Sequence, residues 1–435
     1  MRYRSNVVEE LKFEQLQSGL PPDQLRRDRQ KYSMAARIHE YVEGHPADPL
    51  VQDYKKHLQA RRFEKNPHSH RSFGTVMTIL QKRIMEDCLL VSATAFMATN
   101  LEDLNYEAHA LFFDEASQAT EPDLLMALVD QPELVLMVLA GDLKQLGPVV
   151  PSLTNRRNPY GNILATSPLK RMKVAYPQIE RLLLSRNYRA HPSLIAMPSK
   201  LFYEGSMVAG SANTAAWDTP LTRNVRSMLA GPDFSYAFAD RYATLSNDNR
   251  QFFVDVPTEP VREEDGTSWR NEGGAEAIVA IAKRLTTTCQ VQPSDIGIIS
   301  MYREDLRYIK ERLKEAGLLA VGVSDAQQEL KASMVDAFQG QQRRVMIVHF
   351  VAAFARETPL QDPFGFIKDE IRLNVATTRA RECQFLVGYL SHWMKWERTF
   401  CTNTNTKKKY TKILGMMNYV VRNKQVIEWK KVRGA

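Results

Sequence analysis

The chain has 435 residues, of which 44% are hydrophobic and 25% are charged, and its formal net charge is +8. This length is too great for one typical core and predicts two domains, and the composition excludes a chain that is disordered throughout. The basic surplus is compatible with a polyanionic partner such as nucleic acid, although a solvated basic surface explains it equally well.

The first 74 residues are rich in charged residues and helix formers. The segments VVEELKFEQL (7–16) and DPLVQDYKKHLQARRF (48–63) place apolar residues at helical spacing. We therefore expect a helical region at 1–74, inserted in the first domain or preceding it.

Short apolar strands that alternate with helices follow from residue 75. The first set comprises CLLVSATA (88–95), HALFFDEA (109–116) and ELVLMVLAGD (133–142). Nearly continuous apolar strands of this kind predict a parallel sheet that is covered on both faces. Ligands bind such sheets at the carboxyl ends of the strands, so the polar residues after these strands are candidate site residues.

A second set of strands is expected further on, at 250–256, 294–302, 344–351 and 382–390. We place the junction between the two domains near residues 155–170. The expected organisation is therefore a remainder of the first domain at 75–160, a second domain at 161–400 and a basic C-terminal tail at 401–435.

The acidic pair Asp114-Glu115 comes directly after the apolar strand at 110–113. In nucleotide hydrolysis such a pair has two jobs, because Asp114 can hold Mg²⁺ through water and Glu115 can polarise the attacking water. A pair of acids at a helix N-terminus is an alternative, since that position favours negative charge.

The segment GDLKQLGP (141–148) follows the next strand and places Gln145 in a loop beside the acidic pair. Gln145 is a candidate for sensing a γ-phosphate or the attacking water, and the glycines permit close backbone approach. A turn rich in Gly and Pro is the alternative for this segment alone, but both signals in this order are unusual.

Several blocks in a fixed order resemble those of superfamily 1 helicases, in the branch that contains the RNA helicase of nonsense-mediated mRNA decay. The resemblance covers roughly residues 75–392. It is carried by VSATAF (91–96, motif Ib), DEASQATEP (114–122, motif II), GDLKQLGPVV (141–150, motif III), SRNYRAHPSLIAMPSKLFYEGSM (185–207, the QYRMHP block), DIGIISMY (295–302, motif IV), VDAFQGQQ (335–342, motif V) and RLNVATTRAR (372–381, motif VI).

The resemblance implies an α/β fold of two RecA-like, parallel-sheet domains of the P-loop NTPase type, with ATP and Mg²⁺ between them. It implies that Arg189 and Arg379 reach the γ-phosphate, which suits the fork of N–H donors on a guanidinium group. At motif V, it implies that Gly340 and Gln342 contact the nucleotide.

The resemblance also implies that single-stranded RNA or DNA lies across the domains, with Ser92, Thr94 and Tyr302 as candidate contacts. Contacts of this kind position a strand without reading its sequence. Ser and Thr at the end of a strand are often only helix caps, and this alternative stays open for Ser92 and Thr94.

The sequence departs from the family in three places. No glycine is followed by lysine, so the GxxxxGK[ST] loop that binds ATP phosphates is absent. We therefore expect a truncated or degenerate member whose first domain is incomplete and whose sheet edge is open, so that the chain is poorly stable alone. Gln342 replaces the family's Glu in motif V, and Asp305 ends motif IV, which predicts weaker contacts to the nucleotide.

The expected function is ATP-dependent translocation on single-stranded nucleic acid with unwinding. The alternative is a catalytically inactive, helicase-like protein that binds nucleic acid or serves as a scaffold. The four cysteines form no CxxC pair, and the longest apolar runs are far shorter than the roughly 20 residues that span a bilayer. We therefore expect an intracellular protein of the cytoplasm or nucleus, with no membrane partner.

Overall fold

The computed structural model describes residues 33–63, 67–153, 158–210, 220–231, 234–236, 249–262, 268–319, 329–351, 364–400 and 410–430. By its contacts the chain divides into two compact units. Unit 1 comprises Met1–Leu143 and Gly147–Ile179, and unit 2 comprises Lys144–Leu146 and Glu180–Ala435. The division after Ile179 is later in the chain than the junction expected near 155–170. The short segment Lys144–Leu146 belongs to unit 2.

The described part of unit 1 starts with three helices, α1 (Met34–Gly44), α2 (Pro49–Phe63) and α3 (Pro67–Glu86). Ser33 caps α1, because its hydroxyl accepts a hydrogen bond from the backbone N–H of Ala36 at 3.1 Å. The apolar faces of the helices share one core, which includes Met34, Ile38, Val51, Tyr54, Phe73 and Leu80. The helix predicted over 48–63 is confirmed, whereas the one predicted over 7–16 lies outside the described residues.

The sheet of unit 1 has two parallel strands within the described residues, β1 (Ala110–Phe113) and β2 (Leu136–Leu139). Phe112 pairs with Val138 in the register, and both side chains are exposed, at 68% and 37%. The expectation of a sheet covered on both faces is therefore wrong for this unit.

The strand predicted over 88–95 is also wrong, because this segment forms no strand and Leu89 is 99% exposed. Most of the segment connects α3 to a short helix, α4 (Ala95–Ala98). It does not pair with β1 or β2 in the sheet.

Three further helices complete unit 1: α5 (Glu121–Leu128), α6 (Gly161–Leu164) and α7 (Pro168–Ala175). Thr120 and Asp123 form a capping box at the start of α5, in which each side chain accepts from the backbone N–H of the other residue. Arg171 of α7 pairs with Glu121 of α5, which helps to explain why residues 161–175 belong to unit 1.

Unit 2 is built on a seven-stranded sheet in the order β10-β9-β11-β12-β6-β13-β5. All neighbouring pairs are parallel except β13 and β5. The strands are β5 (Phe234–Tyr236), β6 (Gln251–Asp255), β9 (Ile296–Ser300), β10 (Lys331–Met334), β11 (Arg343–His349), β12 (Ala380–Gly388) and β13 (Val426–Trp429). The four strands predicted from their apolar runs correspond to β6, β9, β11 and β12.

Helices cover both faces of this sheet, which accounts for the continuous apolar runs in its strands. They are α8 (Pro192–Phe202), α9 (Pro220–Leu229), α10 (Glu272–Thr287), α11 (Arg303–Glu315), α12 (Glu370–Thr377), α13 (Leu390–Phe400) and α14 (Thr411–Arg422). Helices α9, α10 and α11 pack with Phe252 and Val254 on one face, and α8, α12, α13 and α14 pack with Phe253 on the other. Two small pairs, β3 (Arg186–Asn187) with β4 (Val208–Ala209) and β7 (Val261–Arg262) with β8 (Trp269–Arg270), complete the unit.

The expected basic tail is wrong for residues 410–430. Helix α14 packs in the core of unit 2, and β13 lies inside the sheet between β6 and β5. The lysines at 407–409 lie outside the described residues. Among the helices that the structure describes, none combines the length and the apolar character needed to cross a membrane.

Candidate functional site

The acidic pair of unit 1 lies in a tight turn after β1. Asp114 is exposed, and its Oδ1 accepts a hydrogen bond from the Glu115 N–H at 2.9 Å. Glu115 has a φ of +55°, a left-handed conformation that non-glycine residues adopt mainly where the surroundings impose it. The Gln118 side-chain amide donates to Glu115 Oε2 at 2.6 Å, so the carboxylate is held in one orientation.

The backbone after β2 approaches this turn closely. The Ala116 N–H donates to Ala140 O at 2.7 Å, and the Asp142 N–H donates to Ser117 Oγ at 3.3 Å. A Cβ added at Gly141 would lie 2.8 Å from Ser117 N, so only glycine fits at this position without a shift of the backbone. The two polar segments that follow β1 and β2 are thus joined, as expected for the carboxyl ends of neighbouring parallel strands.

Gln145 lies in unit 2, where its Oε1 accepts a hydrogen bond from Arg379 Nη2 at 2.9 Å. Arg379 is only 2% exposed, and it also donates to Val375 O at 3.1 Å and to Thr378 Oγ1 at 3.0 Å. Burial and these three acceptors fix the orientation of the guanidinium group. Gln145 and Arg379, two candidate site residues that lie 234 positions apart in the sequence, are therefore direct hydrogen-bond partners.

Gly340 and Gln342 lie in the turn before β11, beside Arg379. Gly340 has a φ of +70°, which favours glycine. Gln342 is exposed and directly precedes β11, and the Arg343 N–H donates to Arg379 O at 3.2 Å. These residues therefore lie near the amino ends of β11 and β12.

Two cationic side chains, Lys331 and Arg343, lie beside this turn. Lys331 begins β10, and its ammonium group donates to Gln341 Oε1 at 2.5 Å. Burial lowers the pKa of Lys331, and the nearby charge of Arg343 acts in the same direction.

Arg189 lies in a loop that is fixed to the start of β12. The Asn187 side chain accepts hydrogen bonds from the N–H groups of Arg189 and Ala190, at 2.8 and 3.0 Å. The His191 N–H donates to Arg381 O at 2.9 Å, two residues beyond Arg379. The structure thus brings the backbone around Arg189 close to that of Arg379, and the Arg189 side chain is exposed.

Family models named AAA domain match residues 12–153 and 164–391, the second of which is more than half of the chain. The chain belongs to the superfamily 1 helicases. Its relatives place it in the branch that contains the RNA helicase of nonsense-mediated mRNA decay. This confirms the family identified from motifs Ib to VI and, together with the parallel α/β sheets, the expected RecA-like fold class.

Two relatives indicate the range of similarity among helicases. The putative helicase mov-10-B.1 of Danio rerio is 30% identical over 329 residues, which cover 69% of this chain and 29% of the relative. The ATP-dependent helicase upf1 of Schizosaccharomyces pombe is 26% identical over 351 residues, which cover 81% of this chain and 34% of the relative. The chain thus spans about a third of the length of these curated relatives.

A crystal structure of an arterivirus nonstructural protein 10 (helicase) is similar to this chain, with 13% sequence identity. The match covers 66% of this chain and 40% of the arterivirus chain. Its TM-score of 0.28 is too low to support an argument about the arrangement of the helicase fold.

The candidate nucleic-acid contacts of this helicase chain have different surroundings. Ser92 and Thr94 are exposed, and Thr94 caps α4 by accepting from the Met97 N–H at 3.3 Å. Tyr302 is 4% exposed, and its hydroxyl accepts from the Phe366 N–H at 3.3 Å. The contact of Tyr302 with nucleic acid stays a prediction that its burial disfavours.

Asp305, which departs from the helicase motif IV pattern, is fully buried. Its Oδ2 accepts from Ser300 Oγ at 2.6 Å and lies 2.7 Å from His349 Nδ1, and its Oδ1 accepts from the Asn271 N–H at 3.1 Å. A carboxylate with these partners supports the ends of β9 and β11 and the start of α10. The expectation that Asp305 weakens a nucleotide contact is therefore wrong, because the side chain is directed into the domain.

The sequence analysis did not single out two residues that contact the candidate site segments, Gln118 and Asn374. Gln118 holds the Glu115 carboxylate, and Asn374 is a fully buried amide in the motif VI helix that donates to Lys144 O at 2.8 Å. Both lie inside the motifs that carry the resemblance, and a polar residue at a predicted core position was the available signal for Asn374.

Proposed function

We propose that this chain is the core of an ATP-dependent helicase that moves along single-stranded nucleic acid, with RNA favoured over DNA, and unwinds duplexes. The observation that carries the proposal is the hydrogen bond between Gln145 and the buried Arg379. It supports a joint role for motif III and motif VI at the terminal phosphate, because the carbonyl of Gln145 fixes one arm of the guanidinium fork.

The acidic pair supplies the complementary chemistry in this proposal. Asp114 is exposed, and its carboxylate oxygens would hold Mg²⁺, which would neutralise charge on the phosphates when bound. Glu115, which the Gln118 amide orients, accepts hydrogen bonding from the attacking water and aligns it.

Arg189 and Arg379 stabilise the charge that develops on the phosphoryl group as the bond to the leaving group breaks. Arg379 is oriented by Val375 O, Thr378 and Gln145, and Arg189 extends from a loop that is fixed to Arg381. Gly340 and Gln342 bind the nucleotide through backbone and amide groups, which carry no charge of their own.

The proposed nucleic-acid contacts are Ser92 and Thr94, with the phosphate backbone as the target. The net charge of +8 supports an affinity that is mainly electrostatic. RNA is favoured because a relative of 27% identity is named regulator of nonsense transcripts 1 homolog, from Arabidopsis thaliana. An intracellular location, in the cytoplasm or nucleus, follows from this function.

A second candidate is a helicase-like binding protein without turnover. The observation that favours it is the absence of GxxxxGK[ST], the loop whose backbone N–H groups and lysine hold the phosphates.

Phosphate release measured at millimolar ATP, with and without single-stranded RNA, separates the two candidates. The favoured function predicts hydrolysis that RNA increases and that Glu115→Gln removes by at least about 100-fold, with RNA binding retained. Salt-dependent RNA binding without hydrolysis would support the binding protein instead. Hydrolysis that neither RNA nor DNA changes would contradict both.

A further inference from the structure

We propose that Asn374 and Gln339 are positioning residues that hold the segment Lys144–Leu146 so that Gln145 faces Arg379. The Asn374 side-chain amide donates to Lys144 O at 2.8 Å, and the Gln339 amide donates to Leu146 O at a longer 3.4 Å. The backbone is therefore held on both sides of Gln145. These contacts lie within unit 2, to which Lys144–Leu146 belongs.

Asn374 is well suited to this task because it cannot turn freely. It is fully buried in α12, and the same amide nitrogen also donates to the Tyr203 hydroxyl at 2.8 Å. Rotation of the side chain would take the buried amide nitrogen of Asn374 away from Lys144 O and the Tyr203 hydroxyl, which is unfavourable. The carbonyl of Lys144 thus has a fixed location relative to α12.

Arg379 follows the same helix, α12, and its Nε donates back to Val375 O at 3.1 Å. Helix α12 therefore holds both partners of the Gln145–Arg379 hydrogen bond. Asn374 holds the backbone beside Gln145, and Val375 O holds the Arg379 side chain. Gln339 comes from the motif V turn and fixes the far side of Gln145. Neither amide contacts Gln145 or Arg379 side chains in these bonds, so each acts through the backbone.

The effect of these residues on hydrolysis rests on the proposed function. Their geometric role, which is to hold Gln145 facing Arg379, does not. If Gln145 and Arg379 act on the terminal phosphate, loss of Asn374 lowers kcat about as much as Gln145→Ala does and leaves KM largely unchanged. The two substitutions together then cause no further loss, because both remove the same contact.

The geometric part is tested by the coupling between Gln145 and Arg379 in the folding equilibrium of unit 2. All five tryptophans, at positions 217, 269, 393, 396 and 429, belong to unit 2, so their fluorescence in urea follows its unfolding. A double-mutant cycle of Gln145→Ala and Arg379→Lys gives the coupling, which we expect to be about three- to tenfold in the otherwise native chain.

The same cycle is then measured in three backgrounds. We expect the coupling to fall below about twofold in Asn374→Ser and in Gln339→Met. Gln339 is only partly buried, so its variant folds even where Asn374→Ser does not. Gln341→Met is the matched control, since its amide donates to Ala337 O and contacts no residue of the segment in that bond.

Retention of the coupling in Gln339→Met and in any folded Asn374→Ser protein would overturn the proposal. Its loss in Gln341→Met as well would also overturn it, because the effect would then be a general loosening of the motif V turn. A chain that hydrolyses no ATP but shows the expected pattern of coupling refutes the proposed function and leaves the positioning role intact.

Discussion

Gly141 lies where the turn at Ala116 and Ser117 leaves no room for a side chain. A Cβ there would lie 2.8 Å from Ser117 N and 3.2 Å from Ala116 N, and both are backbone atoms that cannot move aside alone. We therefore expect Gly141→Ala to lower the free energy of unfolding by about 1–3 kcal/mol, measured by circular dichroism in urea.

Gly74→Ala is the control for this prediction. Gly74 is exposed within α3, and an added Cβ meets no atom within 4 Å. This substitution should raise the free energy of unfolding by up to about 1 kcal/mol, because alanine favours the helix. Equal stability of the two variants would show that the close approach at Gly141 does not exist.

Candidate site residues could be named from the sequence, but their hydrogen-bond partners could not. Gln145 and Arg379 each belong to a recognisable motif, yet 234 residues separate them, and only the fold places them in contact. For Tyr302 and Asp305, the prediction from the motif and the observed burial disagree. Their motif predicted nucleic acid or nucleotide nearby, whereas the packing of α11 against β9 buries both side chains.

At the level of elements, Asp305 joins the ends of β9 and β11 to α10 through Ser300, His349 and Asn271. Asp305→Ala would leave these buried polar groups without their common acceptor. We expect it to lower the free energy of unfolding of unit 2 by about 3–5 kcal/mol, followed by tryptophan fluorescence in urea.

The matched substitution is Asp295→Ala, which removes a carboxylate near the start of β9. Asp295 is 42% exposed and lies 4.0 Å from Arg344, so its loss should change the stability by less than about 1 kcal/mol. A similar, small effect of both substitutions would contradict a structural role for Asp305.

The strands could be predicted where they are buried on both faces, because β6, β9, β11 and β12 are continuous apolar runs. Strand β13 has only four residues in a basic segment, and its partner β6 lies about 170 positions earlier. Nothing local distinguishes it from a tail. The apolar run at 88–95 shows the converse case. It resembles a strand locally, but no strand among the described residues pairs with it.

At the level of the whole molecule, one face of the β1–β2 sheet is apolar and exposed. It is formed by Ala110, Phe112, Leu136 and Val138. Exposed apolar faces and strand edges favour association, so we expect the chain to self-associate as its concentration rises, as measured by sedimentation velocity.

Phe112→Thr should weaken this association, and Phe96→Thr should not. Both phenylalanines are 68% exposed, but Phe96 belongs to α4 and lies outside the sheet. A monomer with a sharp, reversible thermal transition at every concentration would contradict the predicted instability of unit 1.

The central proposal is that Arg379 acts on the terminal phosphoryl group of a bound nucleotide. The most direct measurement compares the binding of ADP with that of ADP plus aluminium fluoride and Mg²⁺, which imitates the phosphoryl group in transfer. We predict tighter binding of the mixture by the native chain, and loss of that difference in Arg379→Lys, because lysine lacks the planar fork. An equal preference for the mixture in both proteins would contradict the claim.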